Sequence, residues 1–175
     1  MLKILPLLIL FISFEATAQD ALKPRPSPMA VTKMQFKDCY VKIVYSQPHK
    51  RGREIFGGIV PFGEVWRTGA NEATEITFTK DILFNSTLVK AGTYSLFTIP
   101  DRIKWTIILN SETGLWGSYN YNSKLDILRF DVPVQNLDTP YEPFTMIFDQ
   151  VNDKATLKLM WDKTLVEIPI KFTNL

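Results

Sequence analysis

The sequence predicts an all-β fold, an antiparallel β-sandwich of jelly-roll-like form in a single domain. Three observations predict it. Segments with a strict period of two recur along the chain, as expected of strands with one buried face. Short polar turns separate them, and beyond residue 18 no stretch longer than about ten residues carries a helical period. The count is roughly eight to ten strands, the range of sandwiches and jelly rolls.

Taken in order, the chain starts with Lys3, an apolar run from Ile4 to Phe14, and the small residues Ala16-Thr17-Ala18. A positive start, a short apolar core and a small-residue cleavage site make a secretory signal peptide over residues 1–18. The apolar run falls short of the roughly 20 residues that a membrane-spanning helix needs. The expected product therefore starts at Gln19, is exported to the periplasm or beyond, and has no membrane span once the signal is cleaved. Residues 19–29 hold three prolines and little apolar surface, the composition of an extended tether. The sandwich domain is expected over 30–175.

In Tyr40–Ser46, Val41, Ile43 and Tyr45 share one face. In Thr74–Thr79, Thr74, Ile76 and Phe78 oppose Glu75, Thr77 and Thr79. Ala91-Gly92 opens a strand over Thr93–Ile99, and Trp105, Ile107 and Leu109 alternate with polar neighbours. Leu157, Leu159 and Trp161 form one alternating set, and Val166, Ile168 and Ile170 form another. Asp162-Lys163 between those two sets predicts a tight hairpin. Asn85-Ser86 punctuates another pair of strands. Pro169 cannot donate to a ladder and belongs on an edge or at a bulge.

Composition excludes several function classes. Net charge is +2 and stays there when Lys3 and Glu15 leave with the signal, so nucleic acid, which calls for a clustered basic face, is not an expected partner. One histidine and one cysteine cannot build a histidine–cysteine metal site, which takes three or four such ligands. No metal and no cofactor is expected. Cys39 is alone and reads as a strand thiol packed as a small hydrophobe. His49 lies in a polar loop beside two cations. Ser46 and Ser95 lack the surroundings of a nucleophile elbow. The glycines make neither a phosphate loop nor a dinucleotide fingerprint.

The densest mixture of residue types is Arg51–Thr74, RGREIFGGIVPFGEVWRTGANEAT. It carries five of the eight glycines (Gly52, Gly57, Gly58, Gly63 and Gly69), three arginines and three glutamates. Such a run predicts a shaped loop that presents side chains. Arg67 offers a planar fork suited to carboxylate or phosphate, and Asn71 both donates and accepts. Glu72 accepts, or acts as general acid or base. Two readings of Arg67 and Glu72 stand side by side: a salt-bridged pair locking the loop, or two parts of a ligand site with Trp66 as an apolar wall. A second cluster, Trp116–Asn122, adds Trp116 and Tyr119. If both loops lie at one end of the fold, they form one pocket.

Those blocks, with AGTYSLFTIP at Ala91–Pro100, Trp105 and WGSYNY at Trp116–Tyr121, resemble a bacterial secreted family catalogued as the domain of unknown function numbered 2911. The resemblance spans about Val41 to Phe172. It implies an exported bacterial protein and carries over no catalytic or binding residue. The leading functional reading is a small polar ligand, a glycan or an anionic metabolite, bound by Trp66, Arg67, Asn71, Glu72, Trp116 and Tyr119. The alternatives are a glycosidase-like hydrolase using Glu72, with Glu64 or Glu75 as second carboxylate, and a structural or envelope-interaction module. Binding ranks ahead of catalysis, and the sequence leaves oligomeric state open.

Overall fold

The computed structural model describes residues 23–173; the expected signal peptide at 1–18 and the start of the tether lie outside the described residues. Nine antiparallel strands follow in chain order: β1 Met29–Phe36, β2 Cys39–Ser46, β3 Ala70–Phe78, β4 Ile82–Phe84, β5 Thr87–Val89, β6 Gly92–Ile99, β7 Lys104–Asn110, β8 Asp126–Val151 and β9 Lys154–Phe172. They are hydrogen-bonded as one sheet in the order β1-β2-β3-β6-β7-β8-β9-β4-β5. The all-β, antiparallel, single-domain expectation holds. β8 joins the two halves, pairing with β7 through 126–133 and with β9 from Val134 onward.

Alternation sets the core. Val41, Ile43 and Tyr45 on β2, and Thr74, Ile76 and Phe78 on β3, are all buried, as their spacing requires. The sheet folds over so that its two halves pack on each other: Phe36 of β1 packs on Phe172 of β9, and Phe78 of β3 on Phe84 of β4. Cys39 is buried, and desolvation raises its thiol pKa, as for an inert packed thiol. Asn85 and Ser86, with φ of 48° and 67°, form the two-residue turn between β4 and β5.

The hairpin expected at Asp162-Lys163 does not form, because β9 runs unbroken through it. Both sides of Asp162 pair with the same neighbour: Thr164 faces Asn136 and Met160 faces Thr145. Asp162 takes φ of 50°, a left-handed conformation that Asp tolerates. It therefore marks a bulge rather than a reversal. The extra residues lie opposite, in β8, where register shifts fall on either side of Tyr141. Pro140 and Pro143 lie in this stretch, and neither can donate a ladder hydrogen bond. Pro169 costs no rung of the β8–β9 ladder, which ends at Val134 and Val166.

The bulge positions the glycine-rich loop. Lys50 N–H donates to the Glu142 carbonyl at 2.9 Å, and Phe144 N–H to the Pro48 carbonyl at 2.8 Å. Lys50 Nζ closes on the Asp162 carboxylate at 2.7 Å. The two strands thus grip the start of the loop where neither can complete its own ladder.

Candidate functional site

Arg51–Thr74 is a chain of tight turns pinned at both ends. Val60 N–H donates to Ile55 O and Gly57 N–H to Val60 O, both at 2.9 Å. Gly58 is required here, because a Cβ at that position would lie 2.5 Å from the Glu54 carbonyl oxygen. Further on, Trp66 and Thr98 exchange backbone hydrogen bonds at 2.7 and 3.0 Å. Thr68, with φ of 54°, turns the chain back. Its carbonyl accepts from Thr74 Oγ1 at 2.7 Å, while Arg67 O accepts from Thr74 N–H. Arg67 is thereby held between two fixed residues.

Trp66 is part of the core. Its ring is buried and stacks on Trp161, with centroids 5.9 Å apart, and it meets Phe56, Trp105 and Phe144. Its indole N–H donates to Gly69 O at 3.0 Å. One edge of it still reaches a cavity of about 310 Å³ whose lining includes Arg53, Arg67, Asn71, Ser27 and Trp161. No carboxylate lines this cavity.

The Arg67–Glu72 pair that the sequence offers does not form. Glu72 Oε1 accepts from Arg25 Nη1 at 2.7 Å, and Oε2 accepts from Ser46 Oγ at 3.2 Å. The Arg25 hydrogen bond, the largest influence, holds the Glu72 carboxyl below the usual glutamate range. Arg67 makes no ion pair among the described residues, and its Nε is buried without a hydrogen-bond partner. Adjacent residues have been sent to different neighbours: Asn71, with φ of 56°, lines the Arg67 cavity, while Glu72 lines another, of about 210 Å³, with Glu75 and Met29.

Arg25 comes from the stretch with tether-like composition. Its described part lies against the loop. Asn71 Nδ2 donates to Ser27 O, Arg51 Nη2 to Pro26 O, and Gln47 N–H to Pro28 O, at 3.3, 2.9 and 2.8 Å. Met29 already belongs to β1.

The aromatic cluster does reach the end of the loop. Gly117 N–H donates to Asn71 O and Ala73 N–H to Leu115 O, each at 2.9 Å, and Trp116 bridges Glu72. Trp116 and Tyr119 themselves stand exposed, at 57% and 81%, and line neither cavity. Glu64 is exposed and apart from both. Ser46 serves Glu72, and Ser95 Oγ donates to Glu112 O, so neither serine engages His49. Among the described residues no group of three or more His, Cys, Asp or Glu could hold a metal ion, and no helix is long and apolar enough to cross a membrane.

A family model described as "Protein of unknown function (DUF2911)" matches residues 27–170. The chain belongs to this family. No curated protein and no solved structure matches it. The family match takes in the whole Arg51–Thr74 loop, Ser27 and Trp161, hence every lining residue of the Arg67 cavity, and begins two residues after Arg25. Arg53 and Trp161 were absent from the candidate residues. Arg53 sits among the glycines at the start of the loop, where sequence alone suggests turn formation, and no sequence signal places Trp161, on β9, beside Arg67.

Proposed function

We propose that this protein is an exported binding protein for a small anionic molecule, taken into the cavity that Arg67 and Arg53 line. One observation carries the reading: the Arg67 guanidinium makes no ion pair among the described residues, and its Nε is buried without a partner. Leaving a buried donor unpaired costs about 1–3 kcal/mol, more where the group is charged. Arginine does not escape that cost by losing its proton. A carboxylate or phosphate from solution removes it, and the planar fork suits both. Arg53 adds a second cation, fixed by its own hydrogen bonds to Lys50 O and His49 O at 3.0 and 2.6 Å. Asn71 supplies a neutral polar contact, and Trp66 with Trp161 a rigid apolar wall.

Hydrolysis through Glu72 has less support. Glu72 and Glu75 do share a cavity, but a general acid needs a raised pKa, and Arg25 and Ser46 push Glu72 the other way.

A thermal-shift series on the chain without its signal segment tests the binding reading, using phosphate, succinate and citrate as probes. Binding to the folded state alone raises stability by about 2.7 kcal/mol at a hundredfold excess over Kd. At least one of these anions is expected to raise Tm in a saturable way. If none does, the reading fails.

A further inference from the structure

The proline-rich arm that precedes β1 forms part of the wall of the Arg67 cavity. Ser27 lines that cavity together with Pro48 and Asn71, and the bonds that hold the arm are made beside those two residues. Gln47 N–H, next to Pro48, donates to Pro28 O at 2.8 Å, and Asn71 Nδ2 donates to Ser27 O at 3.3 Å. Arg51 Nη2 donates to Pro26 O at 2.9 Å, and Arg25 closes on Glu72, the residue after Asn71.

The way the arm is held sets it apart from the rest of the lining. Trp66 and Trp161 are core residues. In residues 23–28 no side chain is buried: Ser27 is half-buried and the others are exposed. The arm therefore has no apolar anchor and is fixed by hydrogen bonds, two of them from arginine side chains. Exposed bonds of this kind contribute little each. Releasing them breaks no rung of the β1–β2 ladder, which starts at Met29 and Ser46. Pro24, Pro26 and Pro28 keep the segment extended whether docked or free. A segment with few buried contacts and exposed hydrogen bonds is the kind that opens while the rest of a fold stays closed. Asn71 links such opening to the cavity, because its amide carries two hydrogens and only one goes to Ser27 O.

We infer that residues 25–28 are a strap over the anion cavity, latched by Arg25 and Glu72, and that an anion enters and leaves when the strap lifts. This rests on the anion-binding reading and adds the route by which that site exchanges its ligand.

Stopped-flow tryptophan fluorescence tests it on the chain without its signal segment, with Trp66 and Trp161 as reporters in the lining. Phosphate, succinate and citrate are mixed with wild type, Arg25→Ala and Glu72→Gln. Either replacement unlatches the strap, so both are expected to raise association and dissociation rates together, by about two- to fivefold, with Kd little changed. A direct electrostatic effect has opposite signs in the two variants, since losing a cation slows the approach of an anion and losing a carboxylate speeds it. Hydrogen exchange at the Gln47 amide, which donates to Pro28 O, is expected to quicken in both variants. Unchanged rates, rates that move in opposite directions in the two variants, or unchanged Gln47 exchange overturn the strap and leave the anion reading standing. Absence of anion binding in the wild type overturns the anion reading and the strap with it.

Discussion

Arg25 Nη1 meets Glu72 Oε1 at 2.7 Å across 47 residues of sequence, and this contact leaves Arg67 without the partner that the sequence offers it. The pairing couples the N-terminal arm to the end of the glycine-rich loop. It also divides two neighbouring charges between different duties: Glu72 ties down the arm, and Arg67 faces a cavity.

Removing Arg25 reads out that contact. Both side chains are substantially exposed, at 56% and 42%, so Arg25→Ala is expected to cost at most about 1 kcal/mol at neutral pH. The pH dependence has a definite sign. The folded-state pKa of Glu72 lies below its ordinary value of 4.5. Its contribution is complete above that value and is lost as pH falls through the lowered one. Urea denaturation should therefore find wild type and variant converging in strongly acidic buffer. A gap that widens on acidification contradicts the pairing.

Trp66 separates core from site. Four aromatic residues meet around it, with ring-to-ring distances to Trp66 between 5.0 and 6.0 Å. Trp66→Ala is expected to cost about 3–5 kcal/mol in chemical denaturation. A loss under about 1 kcal/mol would show a ring dispensable to packing.

The glycines of the loop are not equivalent. Gly58→Ala forces a Cβ against the Glu54 backbone and is expected to cost about 1–3 kcal/mol, as overpacking does. Gly52 has a φ of 71° and no atom within 4 Å of the point where a Cβ would stand. Its substitution meets only the left-handed penalty of about 1–2 kcal/mol. Gly58→Ala should also weaken anion binding, since Ile59 and Val60, next in the same turn, line the Arg67 cavity. Calorimetry showing normal anion binding in a destabilised Gly58→Ala protein would uncouple the turn from the cavity.

Trp116 and Tyr119 are exposed and apart from the anion cavity. Their replacement by alanine is expected to change stability by no more than about 0.5 kcal/mol and to leave anion binding intact. Anion affinity reduced tenfold in either variant would place the ligand elsewhere.

Much of the fold was legible because alternation is a local signal. Val41, Ile43, Ile76 and Phe78 declare their buried face through spacing alone, and Asn85-Ser86 declares its turn through residue type. Asp162 misled because a turn-forming residue also suits a bulge. Only the partner strand, with Pro140 and Pro143 disturbing its register, decides between them. The site was legible as a region and not as a set of contacts. Arg67 and Asn71 stood out by type, but Glu72's true partner lies in a proline-rich stretch with no periodicity. The orphaned nitrogen of Arg67 depends on what fails to approach it, which no local pattern encodes.

Arg67→Met tests the central claim most directly, with phosphate, succinate and citrate titrated calorimetrically into wild type and variant and both unfolded in urea. An unpaired guanidinium that serves a ligand predicts at least tenfold weaker anion binding in the variant, with stability unchanged or raised by up to about 1 kcal/mol as the orphaned donor disappears. Equal anion affinity in the two proteins, or a stability loss of about 3–5 kcal/mol, the cost of breaking a buried ion pair, would contradict it.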